Sequence, residues 1–118
     1  VIVKAILAVL LLLAGFGGTS FAADIRKGAT VQVKANALWF EDTGKLARWQ
    51  RMKKKSDAPT LAKLEQSMLR AREALQLINP QTVKVLDFDA KAGRVRVEMT
   101  GEGRMQGTRW AVDEGAVE

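Results

Sequence analysis

The sequence predicts an α+β domain, a small antiparallel β-sheet or partly open barrel carrying an inserted two-helix hairpin. Three observations carry that expectation. Apolar residues alternate with a period of two over residues 30–35 and 95–99, and they recur in steps of three and four from Leu46 to Ile78. After Thr82 the strand-like runs are separated by glycine turns at Gly93 and at Gly101 and Gly103. Connections this short join antiparallel neighbours only, so the helices form a block within a sheet rather than crossovers between parallel strands.

Ahead of the domain, residues 1–22 read as a secretory leader. Lys4 supplies the positive start, residues 5–16 are an unbroken run of apolar residues and glycine, and Ser20 and Ala22 occupy the small-residue positions of a cleavage site. The run is shorter than the roughly 20 residues of a membrane span. A mature chain of residues 23–118 in the periplasm, or secreted, is therefore expected; the alternative is a leader retained as an anchor.

Residues 23–28 are a short polar lead-in. A first strand follows, with Val31, Val33 and Ala35 on one face and Gln32, Lys34 and Asn36 on the other. Asn36 and Ala37 bend it, Leu38, Trp39 and Phe40 complete it, and Glu41 and Asp42 stop it. From Thr43 the period changes: Leu46, Trp49 and Met52 lie opposite Arg48, Arg51 and Lys55, an amphipathic helix with a basic outer face. Ser56 and Asp57 are capping residues and Pro59 suits a first helical turn, so a second helix starts there. Its stripe of Leu61, Leu64, Met68, Ala71, Leu75 and Ile78 predicts about five turns, ended by Pro80. The helical insertion spans about residues 43–79, and its short joint implies an antiparallel hairpin.

Strand structure resumes at Thr82. Val83 and Val85 share a face, and Leu86 and Phe88 are out of phase with them, which a bulge near Leu86 reconciles. Residues 89–93 form a hairpin loop, with Asp89 able to bond the turn backbone and Gly93 able to take positive φ. Val95, Val97 and Met99 then alternate with Arg94, Arg96 and Glu98. A third run, over residues 104–112, puts Trp110 and Val112 on one face, and Ala116 with Val117 adds a last short pairing.

Residues 28–40 together with 82–117, including Gly103, Gly107, Trp110 and Val117, resemble a bacterial Src-homology-3-like barrel interrupted after its first strand. The resemblance covers about half of the mature chain. It implies a binding module for cell-wall polymers, peptides or protein partners rather than an enzyme. The helical pair is additional to that barrel, and the chain has no tyrosine with which to line the family's peptide groove, so no groove residues are carried over.

Composition points the same way. The chain of 118 residues has no cysteine and no histidine, which removes disulfides, thiolate zinc sites and the commonest nucleophile-activating base. No catalytic, cofactor or metal site is predicted. Charge is uneven: residues 43–73 hold nine basic and three acidic side chains, whereas the remaining mature residues hold nine and ten. Arg48, Arg51, Lys53, Lys54 and Lys55, at the tip of the hairpin, are therefore the candidate partner-binding residues, suited to an anionic envelope polymer, lipid headgroups or an acidic protein face. The competing reading is a solvated helix face.

The other candidates read as structural. Trp49 is expected to pack against the second helix, although an apolar stripe with a basic opposite face also fits peripheral membrane contact. Trp39, Phe40, Phe88 and Trp110 are expected in the core rather than around a ligand. Asp87 with Asp89, and Glu41 with Asp42, are turn acids. Arg104, Gln106 and Arg109 fit either an exposed strand face or an anion site.

The expected function is an exported, non-enzymatic binding or scaffold protein of the cell envelope. The alternative is an assembly subunit that oligomerises through its helices; nucleic-acid binding ranks lower because the leader directs the chain away from it. The leader reading predicts that protein recovered from cells expressing the full chain has the intact mass of residues 23–118. A mass that includes residues 1–22 identifies a retained anchor.

Overall fold

Alternating valines assemble the sheet. The computed structural model describes residues 24–118; the expected leader and its cleavage position at residues 22–23 lie outside the described residues. Among the described residues six strands pair: β1 (Thr30–Val33), β2 (Leu38–Phe40), β3 (Ala74–Gln76), β4 (Gln81–Asp89), β5 (Arg94–Met99) and β6 (Arg109–Asp113). Their order is β1-β4-β5-β6-β2-β3, with every pairing antiparallel. Two α-helices, α1 (Thr43–Lys55) and α2 (Ala58–Arg70), are inserted between β2 and β3. The α+β class and the inserted helical pair are as the sequence predicts.

The register explains the main core. Val83 faces Met99, Val85 faces Val97, and Phe88 faces Val95 across β4 and β5, with a shift between Val85 and Asp87. That shift is the expected bulge, and it brings Phe88 onto the valine face. Trp110 and Val112 continue the same face from β6, opposite Val97 and Val95. With Val31, Val33 and Trp39 these side chains form one cluster. Each buried valine contributes about 1.5–3 kcal/mol relative to exposure, so this face dominates the stability of the sheet.

A second core lies on the opposite face. Phe40 pairs with Ala111 of β6 and with Ala74 of β3. These three pack with Leu46 and Trp49 of α1 and Met68 of α2. The Phe40 and Trp49 rings are 5.5 Å apart and tilted by 43°, a favourable offset arrangement. Trp49 also donates from Nε1 to Glu65 Oε2 at 2.7 Å, which joins the two helices directly. Both helices are capped by aspartate. Asp42 Oδ1 accepts from the Lys45 amide and Asp57 Oδ1 from the Thr60 amide, each at 2.9 Å. Hydrogen bonds from Lys45 and Thr60 respectively hold the two carboxyls below their ordinary pKa.

The chain departs from expectation in three places. Residues 30–40 form two strands, because Asn36 adopts φ 66°. β1 then pairs with β4, whereas β2 turns away to β6 and β3. The expected pairing at Val117 is present as a bridge to Val33, reinforced by the Lys34 amide donating to the Ala116 carbonyl at 2.8 Å.

The second helix stops at Arg70, not near Ile78. Arg72 takes φ 63°, its amide donates to the Leu69 carbonyl at 3.2 Å, and the Glu73 amide donates to the Met68 carbonyl at 2.8 Å. This pair of bonds is a left-handed helix stop. It frees residues 74–76 to become β3, which satisfies the outer edge of β2 and sets Leu75 opposite Trp39. Ile78 is left 77% exposed.

The last strand begins at Arg109, not at residue 104. Residues 100–108 are a loop in which Gly103 and Gly107 have φ 132° and 84°, and the Gly107 amide donates to the Met99 carbonyl at 2.8 Å. Arg104 and Gln106 belong to that loop, so they do not share a strand face with Arg109.

Arg72 pays the steric cost of the left-handed region without glycine's freedom. Arg72→Gly is therefore expected to raise stability by about 0.5–1 kcal/mol. A higher denaturant midpoint at unchanged m-value checks this; an unchanged or lower midpoint contradicts it.

Candidate functional site

Helical periodicity places the basic residues. Burial of Leu46 and Trp49 against the sheet turns Arg48, Arg51, Lys54 and Lys55 outward, and all four are exposed. Lys53, four residues after Trp49, lies over its ring with Nζ 4.9 Å from the centroid. It is thereby held at the edge of the helix–sheet junction by a cation–π contact. Lys53, Lys54 and Lys55 occupy the last turn of α1, where the unsatisfied carbonyl ends of the helix favour positive charge.

The five candidate residues do not form one group. Arg48 is 4.0 Å from the Glu73 carboxylate, which partly offsets its charge. Arg51, Lys53, Lys54 and Lys55 have no carboxylate within ion-pair distance among the described residues. Arg51, Lys53 and Lys54 line a cleft of about 520 Å³ between α1 and the β4–β5 turn. Arg48 and Lys55 lie outside it. Lys91 and Arg94 form its other wall, with Ala47, Gln50, Ala92 and Asp113 completing the lining.

Gln50 builds the floor of this cleft. Its Nε2 donates to Asp113 Oδ1 at 2.8 Å, to the Gly93 carbonyl at 3.1 Å and to the Ala92 carbonyl at 3.2 Å. Its Oε1 accepts from Arg94 Nε at 2.8 Å. One amide thus ties α1 to the β4–β5 turn and to the end of β6. Gly93 at φ 67° makes the turn possible and aims its carbonyl at this amide. Sequence reasoning missed Gln50, Lys91 and Arg94. The only signal for Gln50 was an uncharged polar residue next to Trp49, between the apolar Leu46 and Ala47 and the basic Lys53 and Lys54; Lys91 and Arg94, some forty residues away, had none.

The other sequence candidates resolve into structural roles. Trp49 is 9% exposed and packs between the helices and the sheet. Trp39 and Phe40 are fully buried on opposite faces, and Phe88 and Trp110 are half-buried against the valine cluster. Asp89 accepts from the Ala92 amide within its turn, Asp87 from the Phe88 amide, and Glu41 and Asp42 both pair with Lys45. Among the described residues no group of carboxylates gathers in a way that could hold a metal ion, and no helix is long and apolar enough to cross a membrane.

The cleft depends on the Gln50 amide. Gln50→Leu keeps the bulk but leaves the half-buried Arg94 Nε and Asp113 Oδ1 without their partner, so a loss of about 2 kcal/mol in unfolding free energy is expected. Chemical denaturation measures it, and a loss below about 0.5 kcal/mol contradicts the structural role assigned to Gln50.

Compared with protein-family models, with curated proteins and with solved structures, the chain shows no match.

Proposed function

We propose that this chain is an exported, non-enzymatic binding module of the cell envelope that contacts an anionic component through the basic end of α1. The observation that carries this is the state of the charges: Arg51, Lys53, Lys54 and Lys55 sit on one end of a capped helix, exposed and unpaired with carboxylates among the described residues. The candidate acids, in contrast, bond to their own turns and caps. Concentrated, uncompensated charge on a rigid element attracts anions over roughly 8–10 Å at moderate salt.

The sheet supports a scaffold role. The bridge between Val33 and Val117 draws residues 116–117 beside β1, a curl of the open sheet compatible with a partly open barrel. That curl supports the Src-homology-3-like reading, in which such barrels carry binding surfaces rather than catalytic groups. The assembly reading rests on Leu61 and Leu64 of α2, which are only half-buried against the second core.

Each lysine near an anionic surface contributes about 1 kcal/mol. Replacing Lys53, Lys54 and Lys55 with glutamine should therefore weaken co-sedimentation with anionic envelope fractions about a hundredfold at low salt. Wild-type binding should fall steeply at high salt. Binding that is indifferent to both salt and the triple change overturns the proposal, and a salt-independent oligomer by light scattering favours assembly.

A further inference from the structure

We propose that the cleft between α1 and the β4–β5 turn is a subsite for a ligand bearing two or more linked phosphate groups. Arg51, Lys53 and Lys54 grip it from the helix, and Lys91 and Arg94 grip it from the sheet. The inference rests on the reading that the basic end of α1 is the contact surface; it adds a second wall and a chemical class.

The wall composition carries the argument. Five cations line the cleft against one carboxylate, Asp113, and both oxygens of that carboxylate are occupied. Oδ1 accepts from Gln50 Nε2 and Oδ2 from the Gly115 amide, each at 2.8 Å. Like charges brought together from elements about forty residues apart repel one another, and the single charge of Asp113 leaves a net excess of four in the cleft. A solvated helix face accounts for cations on one element that splay into water. It does not account for two opposed walls held together by a side-chain amide.

Gln50 makes the arrangement specific. By accepting from Arg94 Nε at 2.8 Å it fixes the base of that guanidinium, and no described carboxylate pairs with the terminal nitrogens. A guanidinium presented in this way donates to two oxygens of one phosphate, while Lys54 and Lys91 act as mobile point charges on its neighbours and Lys53 as one held over the Trp49 ring. Gln50 is thus a positioning residue for Arg94.

Size and charge select linked phosphates. A cleft of about 520 Å³ lies within the range of small-ligand sites and exceeds what one phosphate fills. A lone phosphate carries about two negative charges at neutral pH, which leaves about half of the net excess uncompensated. A diphosphate or triphosphate places one charged group near each wall. A lipid headgroup and a soluble phosphate polymer share this chemistry.

The test is calorimetric titration of protein recovered from cells expressing the full chain, using inorganic tripolyphosphate, orthophosphate and a small tricarboxylate at matched ionic strength. Tripolyphosphate should bind at least tenfold more tightly than either of the others. Lys91→Ala, an exposed turn substitution, should weaken it about tenfold, and Arg94→Lys should do so although the charge is kept. Lys63→Ala, on the far face of α2, should not.

Equal binding of tripolyphosphate and tricarboxylate overturns the chemical class. Wild-type affinity in Lys91→Ala, with binding still lost when Lys53, Lys54 and Lys55 are neutralised, overturns the cleft and leaves the helix-end reading intact. Absence of all anion binding defeats both. Vesicles doped with a diphosphate-headgroup lipid, beside neutral vesicles, identify the source: capture by the doped vesicles alone supports a lipid ligand, and binding of free tripolyphosphate without capture supports a soluble one.

Discussion

The structure depends on a three-residue strand buried on both sides. Trp39 and Phe40 are consecutive and both fully buried, so β2 cannot be an ordinary edge with one wet face. Trp39 enters the valine cluster, and Phe40 enters the cluster under the helices. The two cores are joined by one peptide unit. β2 also carries the ladder to β6 on one side and to β3 on the other, so its position sets the end of the sheet on which the helices rest. β6 repeats the arrangement with Ala111 and Val112, which face opposite clusters. A small residue at Ala111, beside Phe40, leaves room for α1 to pack on the sheet.

From that anchor the placement of α1 follows in steps. Phe40 receives Trp49, Trp49 bonds Glu65 of α2, and Lys53 lies over the indole ring. One residue beyond Trp49, Gln50 reaches the β4–β5 turn and the end of β6. An apolar contact therefore fixes the helix axis, and a polar contact fixes its rotation about that axis. The rotation decides which cations face the cleft.

Much of this fold was legible in the sequence. The period of two predicted β1, β4 and β5; the phase shift predicted the bulge; and Trp110 with Val112 predicted the buried face of β6. The period alone could not separate a helix from a strand after Ala71. Leu75 continues the helical stripe of Leu61, Leu64 and Met68, and it also suits a strand facing Trp39. What decided it was non-local: the outer edge of β2 needed a partner, and a two-bond helix stop at Arg72 supplied one despite an unfavourable residue there. The site divides in the same way. Arg51, Lys53 and Lys54 were visible as a local charge run. Lys91 and Arg94 were not, because only the folded sheet carries them to α1.

That division bears on how the basic residues are interpreted. Lysines in a last helical turn need no ligand to explain them, since the carbonyl ends of the helix favour cations there. Exposure likewise explains Arg48 and Lys55. Exposure covers Lys91 as well, but neither argument reaches Arg94, which is half-buried in a strand and has no helix dipole to answer. Arg94 faces both Asp89 and Asp113 across the ladder, yet its Nε bonds to the neutral amide of Gln50 instead of either acid. A guanidinium flanked by carboxylates but tied to an amide makes no direct ion pair with them and keeps its terminal nitrogens available. The fold thereby leaves the terminal donors of Arg94 open at a point where pairing within the sheet had the means to occupy them.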